Sequence, residues 1–148
     1  MFDWDEYDRW MDQAKYTLSS IRADIDYGSY SWACFKAHQA VEYALKAFLR
    51  GAGKSAFGHD LRELFNEIKE YCQAEENIEE YVLLLSKYYI PPRYPDAFPG
   101  GAPYKFYTLQ EAKEAFSKAS KIIDWVSKCV ERLRKTSERT CNSTERGY

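Results

Sequence analysis

The sequence predicts an all-α protein: an up-and-down helical bundle of four main helices plus a short fifth, with a long proline-rich loop before the last helix. Three observations point there. Apolar residues recur at alternating spacings of three and four through most of the chain. All five prolines fall within residues 91–107, leaving the rest free of helix breakers of that kind. No segment alternates with the period of two that a half-buried strand requires.

The stretch ACFKAHQAVEYALKAFLR, Ala33 to Arg50, is the longest run of strong helix formers without Pro or Gly. Ala33, Ala37, Ala40, Ala44 and Ala47 form a ridge of small residues, and Cys34, His38, Val41, Leu45 and Phe48 form a bulkier one beside it. Together they make an apolar face wider than one partner helix needs. The alanines permit interaxial distances near the short end of roughly 8–10 Å. This is the expected central helix, with Lys36, Gln39, Tyr43, Lys46 and Arg50 on its polar side.

The other elements follow in order. A first helix is expected from about Trp4 to Asp26, with the stripe Tyr7, Met11, Ala14, Leu18, Ile21 and Ile25 and with acidic residues at its positive end. Tyr27-Gly28 ends it, and Ser29 or Ser31 caps the central helix, which stops at Gly51-Ala52-Gly53. A third helix should run from about His59 to Gln73 with Leu61, Leu64, Ile68 and Tyr71 on one face. A fourth, opened by Glu75-Glu76, carries Ile78, Val82, Leu85 and Tyr89, widened by Leu83 and Leu84. Residues 91–107 form a crossover longer than a bundle needs, stiffened by proline and pinned by Tyr94, Phe98, Tyr104, Phe106 and Tyr107. Thr108 with Glu111 reads as a capping box for a long last helix with a basic flank. One domain, residues 1–136, is expected, with a disordered tail over 137–148 where the apolar pattern stops.

Composition narrows the function classes. A net charge of −2 supplies no general attraction for nucleic acid, so RNA is a less favoured partner. The 13 tyrosines suit interfaces and wet-edged pockets. Four widely separated cysteines and two histidines do not have the spacing of a zinc site, so neither metal nor cofactor is expected. The acidic start does not resemble a secretory signal, and no apolar run approaches the roughly 20 residues of a membrane span. The expectation is a reduced, cytoplasmic protein without a membrane segment. No phosphate loop, HExxH, Gly-x-Ser-x-Gly or dinucleotide fingerprint is present.

Three polar features stand out. His38 lies on the apolar ridge one turn from Glu42, which could orient it. Arg93, in Pro-Pro-Arg-Tyr-Pro-Asp, is pre-positioned for bidentate capture of a carboxylate or phosphate. The competing reading pairs it with Asp96 or with the carbonyls ending the fourth helix. His59-Asp60 at a helix start could hold an anion or simply cap.

Taken together, Cys-Phe-x-Ala-His-Gln-Ala-Val-Glu-x-Ala-Leu-Lys-Ala-x-Leu (Cys34 to Leu49), Gly-His-Asp-Leu (Gly58 to Leu61) and Arg-Tyr-Pro-Asp (Arg93 to Asp96) resemble the HEPN domain family, the nucleotide-binding domain of higher eukaryotes and prokaryotes. The resemblance spans roughly Tyr7 to Leu133. It implies a helical bundle, commonly a homodimer, often encoded beside a small nucleotidyltransferase in a toxin–antitoxin-like pair. Many relatives are ribonucleases that use Arg followed four to six residues later by His. Here Arg93 matches the arginine, but Ala97, Phe98, Pro99 and Gly100 stand where the histidine would be, and no histidine follows His59. The resemblance therefore implies a non-catalytic homodimer that binds a nucleotide, a nucleotidyltransferase partner, or both. Gln39, Glu42, Lys46, His59, Asp60, Arg93, Tyr94 and Asp96 are the implied binding set, with no catalytic residue. The alternative is a divergent endoribonuclease acting at the dimer cleft through Arg93 with Asp96, His38 or His59.

Overall fold

Gly28 shows how locally this chain specifies its turns. Its φ of 88° is a left-handed conformation that costs glycine little. There the Gly28 amide donates to the Ile25 carbonyl and the Ser29 amide to that of Asp24. These bonds close α1 (Trp4–Tyr27) two residues before α2 (Tyr30–Gly51) begins, so the two helices pack as antiparallel neighbours. The computed structural model describes residues 1–75 and 77–144 and adds α3 (Leu61–Ile68), α4 (Ile78–Ser86) and α5 (Leu109–Thr144). It is an all-α bundle of five helices, with no strand among the described residues.

α2 is the axis of the bundle and packs against every other helix. All five alanines of its small ridge and the whole bulkier ridge are buried, as their spacing predicts. Its expected polar side is a different matter. Glu42 and Lys46 are also buried, and Trp32 is the one residue of the helix that is exposed. α5 and the α3–α4 pair cover what α1 leaves open.

Side chains cap the starts of α1 and α5, the second as the sequence predicts. Asp3 accepts from the Glu6 amide at 3.0 Å, and Thr108 accepts from the Glu111 amide at 3.2 Å. Glu111 meets the Thr108 hydroxyl rather than the amide that a full capping box would use. Ser29 occupies the N-cap of α2 without a side-chain cap bond.

Three boundaries differ from the expected ones. α3 ends at Ile68, because the chain tightens into a turn in which the Tyr71 and Cys72 amides both reach the Ile68 carbonyl. Tyr71 is thereby turned outward instead of completing the apolar face. α4 is likewise short, so Tyr89 lies in the turns after it, and Leu83 is exposed rather than covered. At the far end, the tail expected to be unstructured from residue 137 is helical as far as Thr144, and residues 145–148 lie outside the described residues. Extending a formed helix by one residue is far easier than nucleating one, so the helix outlasts its apolar stripe. Ser and Thr hydroxyls return to carbonyls one turn back along this extension.

The proline-rich crossover is ordered by two 3₁₀ turns, Pro95–Ala97 and Pro103–Phe106, and by the Phe98–Phe106 stack at 4.3 Å. Tyr107 contacts both Phe98 and Tyr88. Tyr104, by contrast, is exposed and pins nothing. The expectation of four reduced thiols is corrected at one pair. Cys72 and Cys129 form a disulfide with Cα atoms 5.9 Å apart, joining the α3–α4 connection to α5. No described helix is long and apolar enough to cross a membrane.

A carboxylate-anchored cluster at the candidate functional site

The site begins with Glu42. On α2 its side chain is 3% exposed, and a carboxylate so placed must be paired and hydrogen-bonded. Lys46, one turn later on the same face, donates to Oε2 at 3.2 Å and is itself buried. The second oxygen, Oε1, is met by Nδ1 of His59 at 2.8 Å. A bond to a carboxylate requires N–H at Nδ1, which leaves Nε2 as the outward-facing nitrogen of a half-exposed ring.

His59 stacks on Tyr89, with ring centroids 4.7 Å apart, and His38 stacks on the same ring at 5.0 Å. The expected His38–Glu42 bond does not form, since Glu42 is engaged by Lys46 and His59. His38 Nδ1 instead meets Oε1 of Gln39 at 3.2 Å, and its Nε2 is buried without a hydrogen-bond partner. Burial holds the His38 pKa below the ordinary 6.5, outweighing Glu42, Gln39 and the His59 backbone, which favour the charged form.

Arg93 joins the cluster through the same tyrosine. Its guanidinium lies 4.2 Å from the centre of the Phe35 ring, 4.5 Å from Tyr89 and 5.0 Å from Tyr94. Nε donates to the Tyr89 carbonyl at 2.7 Å, one of the two internal bonds expected of it. The other, to Asp96, does not form. Among the described residues, Arg93 has no carboxylate partner and its Nη atoms have no hydrogen-bond acceptor.

Of the residues singled out from the sequence, Gln39, Glu42, Lys46, His59, Arg93 and Tyr94 are thus brought around Tyr89 or the Glu42 carboxylate. Asp60 caps α3, accepting from the Arg62 amide and pairing with the Arg62 side chain, so its carboxylate is committed to Arg62. The Arg62 guanidinium holds the Asp60 pKa below its usual value. Asp96 sits exposed in the first 3₁₀ turn and takes no part. Tyr89, Phe35 and the stacking role of His38 were missed as members of the site. Tyr89 carried a signal only as a core position of the fourth helix.

A groove of about 760 Å³ opens beside the cluster, with His59, Asp60, Arg62, Lys87, Tyr89 and Ile90 in its walls. Arg93 is not in that wall but stacks on the Tyr89 ring that is. A larger groove, about 890 Å³, lies between α1 and α5 and contains none of these residues. It is lined by charges of both signs, including the Asp124–Lys128 ion pair, and none of the buried polar atoms left without a partner among the described residues belongs to its lining. Among the described residues, no group of three or more His, Cys, Asp or Glu could hold a metal ion.

Because Lys46 is buried, Glu42→Leu should cost about 3–5 kcal/mol by stranding its ammonium. Glu42→Leu with Lys46→Met should recover most of that loss, read from urea midpoints at unchanged slope. Equal losses in the single and double variants would show that the pair is not what holds α2 in place.

Comparison with known proteins agrees with this architecture. The HEPN domain family model matches residues 7–133. Among solved structures, TT1696 from Thermus thermophilus is 39% identical, with a TM-score of 0.80 over 83% of this chain and 97% of that one. An archaeal HEPN homologue, ST0689, is 33% identical with a TM-score of 0.68, covering 82% and 94% of the two chains. A HEPN domain protein from Thermotoga maritima is 31% identical with a TM-score of 0.68, covering 84% and 98%. Human sacsin is 33% identical over 95 residues, which make up 62% of this chain but 2% of sacsin. With a buried, alanine-ridged α2, an arginine-bearing crossover and a family match over most of its length, this chain belongs to the HEPN domain family.

Proposed function

We propose that this protein is a non-catalytic HEPN domain that binds the phosphate of a nucleotide at the Tyr89-centred cluster and works as a homodimer, with a small nucleotidyltransferase as its partner. The observation that carries the nucleotide reading is the condition of Arg93. Three aromatic rings and one carbonyl fix its plane, and no described carboxylate neutralises it. A guanidinium held this way presents its Nη edge for two parallel bonds to a phosphate.

Lys46 does not share that task, because Glu42 holds it behind the surface. His59 borders the groove with Nδ1 held by Glu42, so its Nε2 donates to an anion only when the ring is doubly protonated. Tyr94, half-exposed beside the guanidinium, offers a face on which a base stacks. The homodimer reading rests on the exposed apolar pair Leu83 and Ile90 along the groove. The nucleotidyltransferase partner rests on family membership.

Titration calorimetry with ATP should show binding that weakens by at least about tenfold in Arg93→Ala and also in Arg93→Lys, which keeps the charge but loses the fork. Equal affinity in the three proteins would remove Arg93 from the site. Light scattering should give twice the 17.4 kDa of one chain.

One observation favours ribonuclease activity as a second reading. The crossover after Arg93 supplies no imidazole, yet the fold brings His59 to the same Tyr89 ring and orients it by a buried carboxylate, the arrangement a general base requires. Under that reading, the purified protein cleaves labelled RNA and His59→Ala abolishes cleavage. Intact RNA in both cases leaves the non-catalytic reading standing.

A further inference from the structure

The helices α3 and α4 have eight and nine residues, well short of the roughly 12–15 at which an isolated helix becomes even marginally stable. Packing therefore holds them, and the two pack on each other as a hairpin. Its open end is the candidate site, where His59 at the entry to α3 stacks on Tyr89 just after α4. Its closed end, after α3, meets α5 at Cys72 and Gln73. Two adjacent turns of α5 hold it there. The Trp125 indole donates to the Gln73 carbonyl at 3.0 Å, and Cys129, four residues further on the same face, is bonded to Cys72. Trp125 also packs on Phe65 of α3.

We propose that the Cys72–Cys129 disulfide is a redox-responsive bolt at the closed end of this hairpin, which sets how firmly His59 and Tyr89 are held together at the open end. In the oxidised protein the hairpin is fixed to α5 covalently. In the reduced protein it is held by noncovalent contacts only, among them the indole bond, the Trp125–Phe65 contact, the His59–Glu42 bond and the buried apolar side chains of α3 and α4. Helices this short then open and close as a local unit while α1 and α2 stay folded.

The chemistry balances with a low-molecular-weight disulfide as oxidant. One cysteine thiolate attacks it, releasing one small thiol and leaving a mixed disulfide on the protein. The second cysteine then displaces the other small thiol and closes the Cys72–Cys129 bond. Two protein thiols lose two electrons and two protons, and the oxidant becomes two thiols. Both sulfurs are buried, with Cys72 3% and Cys129 5% exposed, so each exchange waits on an opening of the hairpin. The bond closes a loop of 57 residues, long enough to constrain the unfolded chain strongly.

The test is hydrogen exchange on the full chain after equilibration with glutathione disulfide and again after reduction. Oxidised protein should resist alkylation at Cys72 and Cys129. Reduction should speed exchange over residues 61–89 by at least about tenfold and leave residues 30–50 unchanged. The melting temperature should fall by about 10 °C. Cys72→Ala with Cys129→Ala should match the reduced protein under both conditions; if that variant does not fold, chemically reduced wild type gives the same comparison. Alkylation of both cysteines in the native protein after glutathione disulfide treatment would overturn the proposal, as would equal exchange in the two redox states. Neither outcome depends on whether the site binds a nucleotide.

Discussion

One carboxylate sets the terms for the rest of the structure. Glu42 lies inside the bundle on its central helix, where an unpaired charge would cost several kcal/mol. The fold satisfies it twice, by Lys46 from the next turn and by His59 from the start of α3. The first bond neutralises the carboxylate locally. The second fixes where α3 begins and which nitrogen of His59 faces outward. Arg93, which no described carboxylate neutralises, keeps its charge among aromatic rings. The cluster thus separates a balanced interior pair from an unbalanced exterior cation.

The same logic explains why α2 is buried nearly all round. α1 and α5 both pack on α2, while His38 and Phe48 of its bulkier ridge meet Tyr89 and Tyr71. The α3–α4 hairpin therefore meets part of that ridge together with the buried Glu42 and Lys46. The hairpin can cover Glu42 and Lys46 only by supplying a polar partner, which is His59. Tyr89, at the hairpin's other open end, then closes over both imidazoles.

What could be read from the sequence was what repeats or is local. Helical period, the glycine stop at Gly28 and the caps at Asp60 and Thr108 rest on residues within a few positions of one another, and the family resemblance on three short stretches, each local in itself. The sequence also marked most of the polar set, because Gln39, Glu42 and Lys46 share one helix and Arg93 stands among prolines. It could not show how these residues pair. His59 and Glu42 are 17 residues apart, Trp125 and Gln73 are 52, and Cys72 and Cys129 are 57. Such contacts leave no periodic trace. Tyr89 was misjudged for a related reason: its spacing extended the apolar stripe of α4, yet the helix stops at Ser86 and the ring serves as a platform for His38, His59 and Arg93.

The central claim is that buried Glu42 fixes His59 with its proton on Nδ1 and so turns Nε2 towards the groove. Long-range ¹H–¹⁵N correlation of the imidazoles at pH above the histidine range measures this directly. The account predicts a protonated Nδ1 and an unprotonated Nε2 for His59, with the Nε2 shift moving on addition of ATP. The opposite tautomer in wild type, or a tautomer mixture unchanged by Glu42→Gln, would contradict it.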